Sequence, residues 1–336
     1  MPVKYMKNKS IYCLFFLLPI LLAETKSVFA QQKPHDSSFY TTYPRKITTR
    51  FYFSKKFNSI TVPGLSSAND FDYKPNTQLN TGVGVTYSTF SLNIAYGFGF
   101  MNQDDEKGKT KIIDLEAHVY PYKWALDVLA ITYKGLHIDP KGYATGNENY
   151  YYREDAVQLL MGIGAYRVVN VERFSYNAAM IQNEWQKRSA GSFLYGGEMY
   201  YGYLKGDSSF IPAARANDFM QAGIDKTQFF TIGAGAGYAY TLVIDEHFYA
   251  MGSLIANLDM HFTTDHYGKD ELKKNSLQPS FIYKAAIGYN FKNWNISANF
   301  AGNTLWVKTA SVGDVYKYPI GNYRFIVAKR ISTNRK

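Results

Sequence analysis

The sequence predicts an all-β fold, a transmembrane antiparallel up-and-down β-barrel of 12 or 14 strands. Three observations carry that expectation. Apolar and small or polar residues alternate in one segment after another, aromatic residues reach 17% at a mean hydropathy of only −0.28, and an export signal precedes a chain with no apolar run long enough for a membrane helix.

The alternation is plainest in "TGVGVTYSTFSLNIAYGFGF", residues 81–100. Successive strand residues point to opposite faces, so Leu79, Val83, Val85 and Tyr87 share one face while Asn80, Gly82, Gly84 and Thr86 share the other. A tight turn near Ser88 and Thr89 opens a second run, with Phe90, Leu92, Ile94, Tyr96, Phe98 and Phe100 set against Ser91, Asn93, Ala95, Gly97 and Gly99. In a soluble secreted β-sandwich, the alternative fold, the large face would be core, yet core strands rarely back such aromatics with Gly, Ala and Asn. A barrel wall explains both faces: lipid meets Val83, Val85, Leu92, Ile94 and Phe98, and the small residues face a crowded polar lumen. "FFTIGAGAGYAYTLVI" (229–244) repeats the design, with Tyr238 and Tyr240 toward lipid. Its "GAGAG" lacks the Lys-Ser/Thr ending of a phosphate loop, and glycine at every second position suits a curving wall.

Composition agrees. The 30 Tyr and 23 Phe suit membrane–water interfaces, where a ring with a polar tip is at home. Low mean hydropathy beside strong alternation is what a barrel gives, because half of each strand faces lumen or water.

At the N-terminus Lys4, Lys7 and Lys9 precede the 13-residue apolar run Ile11–Ala23, and Val28 and Ala30 fit signal-peptidase cleavage after Ala30. A helix needs about 20 residues to span a bilayer, so insertion must be by strands. Cys13, the only cysteine, sits inside the signal without a lipobox, and the chain from Gln31 onward therefore offers no disulfide, thiolate metal site or thiol nucleophile. The net charge of +10 falls to +7 once residues 1–30 are removed, with 33 basic against 26 acidic side chains. No basic stripe accompanies it, so nucleic acid is not an expected partner. The expected organisation is a signal peptide at 1–30, a polar lead at 31–45, the barrel at 46–331 and a basic tail at 332–336.

Strands are expected at 46–62, 79–87, 90–100, 110–120, 124–138, 156–169, 173–186, 191–205, 228–244, 247–264, 280–291, 294–307 and 322–331, with 124–138 poorest in phase. Short joints at 170–171, 245–246 and 292–293 mix with polar loops at 101–110, 139–154 and 265–278, as in membrane barrels. The thirteen segments break the even count of single-chain bacterial barrels, and the parity conflict falls across 206–227.

On "TTRFYFSKKF" (48–57), "YKPNTQLNTGVGVTY" (73–87), "RFSYNAAMIQNEWQKRSAGSF" (173–193) and "GYAYTLVIDEHF" (237–248), the chain resembles an exported, functionally uncharacterised barrel-like family of Gram-negative bacteria, defined as a domain of unknown function. The resemblance implies a location and an architecture and brings no activity, substrate or catalytic residue. One departure from outer-membrane practice stands out: Tyr323, Phe325 and Val327 alternate, but the chain ends "STNRK" and not on an aromatic.

The chemistry-bearing candidates lie on polar faces. Asp114, Glu116 and His118 share one face of a strand; a carboxylate beside His could orient a general base, or the three could hold a metal. Asn257, Asp259 and His261 repeat the pattern, so the metal candidates are Asp114, Glu116, His118, Asp259 and His261. The bland reading makes these residues lumen-facing ladders, since charge on the lipid face costs roughly 2 to 4 kcal/mol at the midplane. "QNEWQKRSAGS" (182–192) adds Glu184 toward the lumen, Lys187 and Arg188 for lipid phosphate, and Ser189 as a candidate nucleophile, without a nucleophile elbow. Its ordinary reading is a tight hairpin turning at Ala190-Gly191.

The leading expectation is a non-enzymatic outer-membrane barrel, either a narrow passage or a structural surface protein. The alternative is a barrel enzyme hydrolysing lipid or lipopolysaccharide with His118, Glu116 and Ser189. Outer-membrane lipid, lipopolysaccharide and the barrel-insertion machinery are the expected partners, and no cofactor is expected.

Overall fold

A computed structural model describes residues 35–87, 90–97, 104–310 and 314–333; the expected signal with its cleavage site, the turn at Ser88 and Thr89, and Phe98 lie outside the described residues. A short strand β1 (Tyr40–Thr42) precedes β2 (Lys46–Asn58), which resumes after Ser59 as β3 (Ile60–Val62) and returns as β4 (Phe71–Lys74). Then come β5 (Leu79–Tyr87), β6 (Phe90–Gly97), β7 (Lys111–Val119), β8 (Trp124–Asp139) and β9 (Tyr151–Val168). A short α-helix α1 (Tyr176–Met180) and a short β10 (Glu184–Gln186) lead into β11 (Ala190–Lys205). The chain ends with four long neighbours and their partner: β12 (Lys226–Ile244), β13 (Phe248–Tyr267), β14 (Asp270–Phe291), β15 (Trp294–Lys308) and β16 (Val315–Ser332).

The hydrogen-bonded ring runs β16-β15-β14-β13-β12-β11-β9-β8-β4-β3 and back to β16, ten antiparallel strands in all. On the other side of the same sheet β2, β5 and β6 continue from β16, and β7 from β8. Among the described residues no ladder joins β6 to β7. The expected 12 or 14 strands are thus a closed ring of ten with extra strands attached, because β3 and β4 bridge β16 to β8 at the loop end.

The surplus segment in the sequence reading is 173–186, not 206–227. There α1 starts at the cap Ser175, whose Oγ accepts from the Ala178 N–H at 3.1 Å, and Tyr176, Asn177, Ala178 and Ala179 are all buried. A segment buried on every side cannot alternate; Phe174, Tyr176 and Ala178 only imitate a strand's spacing. Ala190 opens β11 instead of turning a hairpin, and 270–278, expected as loop, prolongs the β13–β14 hairpin. The poor phase of 124–138 has a local cause: a bulge between Lys134 and Leu136, where Gly135 takes φ +87°, shifts the side chains by one position. Part of the expected polar lead is structured, since β1 pairs with β10.

The outer surface is apolar in long runs. On β13 every outward position from Phe248 to Phe262 is uncharged, Leu254, Leu258, Met260 and Phe262 among them. Aromatic rings line up across neighbouring strands, with Phe300 4.7 Å from Tyr323, 5.4 Å from Tyr283 and 5.9 Å from Phe57, centroid to centroid. Val83, Val85, Leu92, Ile94, Tyr238 and Tyr240 are exposed on this surface. The architecture is that of an outer-membrane β-barrel.

Inward glycines make room for their neighbours. A Cβ on Gly82 would stand 2.3 Å from the Tyr52 ring, and one on Gly84 2.1 Å from the Asn93 amide oxygen, so each glycine is where a partner lies across the wall. Gly82→Val is expected to lower stability by about 1 to 3 kcal/mol, the usual cost of overpacking, measured by urea unfolding in detergent.

The interior is filled at both ends. At the loop end Ile60, Val62, Phe71 and Tyr73 pack with Phe210 and Phe219 from the 206–225 connection. At the short-turn end Phe174, Tyr176 and Ile181 pack against Tyr166, Tyr249 and Met251 of the wall. This second plug is bonded to the wall through its backbone: Arg50 donates to Ile181 O at 2.6 Å, Arg330 to Gln182 O at 2.9 Å and Glu184 O at 3.1 Å, and Asn299 to Ala179 O at 3.2 Å.

Candidate functional site

The polar layer between the two apolar cores is built by inward positions of long strands. Asp114, Glu116 and His118 do share the inner face of β7, and each is engaged. The Lys56 ammonium pairs with Asp114 and lies 3.4 Å from Glu116, while Tyr133 donates to Asp114 at 2.8 Å. Glu116 also accepts from Asn322 at 2.9 Å and faces Arg324 at 3.7 Å. His118 Nδ1 meets Asp127 at 2.7 Å, and its Nε2 is 3.9 Å from Glu116.

Asp127 then accepts from Lys284 Nζ at 2.6 Å. Asp127 is on β8 and Lys284 on β14, five steps apart in a ring of ten and therefore on opposite sides of the barrel. This ion pair crosses the lumen. Other links join non-adjacent strands, Tyr166 to Asn257 at 2.9 Å, Asn303 to Tyr200, and Gln158 to Asn58 at 3.1 Å, while Tyr166 also meets Glu198 of the neighbouring β11 at 3.2 Å.

The ladder explains how these groups meet. One row across the sheet reads His118, Asp127, Gly164, Glu198, Gly233, Asp259 on β7, β8, β9, β11, β12 and β13. Acid and glycine alternate from Asp127 onward, so each carboxylate has an empty place beside it. A Cβ on Gly233 would fall 1.7 Å from Asp259 Oδ1, which shows that the Asp259 carboxylate occupies that place.

Of the other candidates, Asn257 donates to Ser280 Oγ at 3.2 Å and His261 Nδ1 lies 2.7 Å from Thr231 Oγ1. Asp259 and His261 thus sit among β11, β12 and β14 and do not join Asp114, Glu116 and His118; among the described residues no group of three or more His, Cys, Asp or Glu is placed to hold a metal. Glu184 is in the short-turn plug, bonded to Ser175, not on the barrel wall. Ser189 Oγ accepts from the Val243 N–H at 2.9 Å, whereas His118 is held by Asp127 and Glu116, so the proposed nucleophile and base have no contact.

Sequence reading missed Lys56, Asp127, Glu198, Lys284 and Arg324. A signal existed for two of them: Glu198 in "YGGEMYYG" and Lys284 in "FIYKAAIG" are single charges at inward parity within otherwise uncharged strand segments.

No curated protein is significantly similar to the chain. Among solved structures, the outer membrane protease OmpT from Escherichia coli aligns over 86% of this chain and 97% of its own, at 9% identity and a TM-score of 0.35. Ail, the attachment invasion locus protein of Yersinia pestis, aligns over 86% and 100% at 9% identity and 0.22. The P. putida toluene transporter TodX gives 88% and 92% at 7% identity and 0.24. At these values none of them bears on what this chain does. The profile described as domain of unknown function (DUF4421) matches residues 34–328, nearly the whole barrel, and the chain belongs to that family.

Proposed function

We propose that the chain is an outer-membrane surface protein whose barrel is a closed, non-enzymatic scaffold and not a passage. The Lys284–Asp127 bond across the lumen is the observation that carries this reading. Apolar cores on either side of it support the same conclusion, because a solute path would require displacing Phe71 and Tyr73 at one end and Phe174 and Tyr176 at the other. Export with cleavage after Ala30, delivery by the barrel-insertion machinery, and contact of Val83, Val85, Leu92 and Ile94 with outer-membrane lipid or lipopolysaccharide belong to the proposal. The loop end, with the 206–225 connection and the extended β13–β14 hairpin, is the part presented to the outside. Planar-bilayer recording of the refolded chain tests it: no steady conductance is expected at any holding potential, and reproducible ohmic steps would overturn it.

A further inference from the structure

Glu198 and Asp259 are two carboxylates drawn together across Gly233. Glu198 is 4% exposed and Asp259 0% exposed, and the charge of Asp259 acts on Glu198. Glu198 is well provided with donors: Ser280, Tyr166 at 3.2 Å and Tyr200 at 3.3 Å. Asp259 is not: no donor meets either of its oxygens in hydrogen-bond geometry, and Ser280 and Glu198 are the polar groups beside it.

Among the described residues no cation serves the pair. Lys284 is taken by Asp127, Lys56 by Asp114 and Glu116, and Arg324 faces Glu116; among the described residues neither Glu198 nor Asp259 forms a salt bridge. Two buried carboxylates without a counter-charge are costly. Around them stand neutral oxygens, Asn257 Oδ1, Ser280 Oγ and the Tyr166 hydroxyl, which are themselves linked to Glu198 or to one another. With no sulfur ligand and no imidazole nitrogen joining the set, it matches a hard cation that takes six to eight oxygens.

We propose that Glu198 and Asp259, with side-chain oxygens of Asn257 and Ser280, hold one calcium ion inside the barrel. Asp259, fully buried beside Glu198 and Ser280 with no donor in hydrogen-bond geometry, is the ligand the ion would satisfy. Two carboxylates neutralise one divalent charge, and glycine at 233 leaves the space through which they converge. The ion acts as a structural tie among β11, β13 and β14.

The test uses the full mature chain refolded in detergent free of lipopolysaccharide, stripped with chelator and then given calcium chloride alone. Metal analysis after gel filtration is expected to return one calcium per chain, with a melting temperature raised by several degrees. Glu198→Gln and Asp259→Asn should each lose the bound ion and the shift. Wild-type chain that binds no calcium overturns the proposal, as does undiminished binding by both variants. If Asp259→Asn without calcium melts above the wild type and calcium moves neither, the carboxylates share a proton and the proposal fails. Should one variant not fold, the wild-type metal content and melting shift decide by themselves.

Discussion

Arg330→Ala is expected to lower stability by about 3 to 5 kcal/mol, because it strips several buried acceptors of their donor at once. Arg330 is 1% exposed on β16, and its guanidinium gathers three acceptors: Gln182 O, Glu184 O and Asn290 Oδ1 at 2.8 Å. It also stacks over Tyr43 at 5.0 Å and Trp185 at 5.8 Å. Alanine would leave two plug carbonyls buried without donors, and each such orphan costs about 1 to 3 kcal/mol. The loss should show as a lower midpoint in urea and as faster proteolysis within 174–186. A variant as stable as the wild type, with the plug still protected, would mean that packing alone holds it.

The second large effect is expected at the cross-lumen ion pair. Lys284→Met leaves the Asp127 carboxylate buried with only His118 beside it, and should cost about 3 to 5 kcal/mol. Combining it with Asp127→Leu removes the stranded charge, so the double variant should recover most of the loss. A double-mutant cycle in urea reads the coupling directly. Additive losses would show that the two side chains act separately and that the bond contributes only packing.

How much of this was legible in the sequence depends on whether a residue's partner is nearby in the chain. Inward and outward faces could be read, because a strand's period is local: Val83 and Leu92 outside, Gly84 and Asn93 inside. Long hairpins such as β12–β13 were legible for the same reason, with Asp245 and Glu246 turning the chain at positive φ. Partners were not legible. Nothing around Lys284 reveals that it meets Asp127, 157 residues earlier, and the role of Glu198 depends on a glycine one strand away and an aspartate two strands away. The short-turn plug was misread because Phe174, Tyr176 and Ala178 copy the spacing of a strand, while the feature that sets them apart, burial on all sides, exists only after closure. Likewise β3 and β4 carry too few residues to register as a bridge, yet they decide that the ring closes at ten.

The Lys284–Asp127 bond also has a consequence in time. A chain that assembles by successive hairpins makes its neighbouring ladders early, and a contact between opposite walls can form only when the last strands have come round. Such an interaction is absent from the barrier to folding and present in the finished barrel, so its strength is felt in the unfolding rate. The buried ion pair is thus a latch: it does little to speed assembly, and it sets how long the assembled barrel lasts.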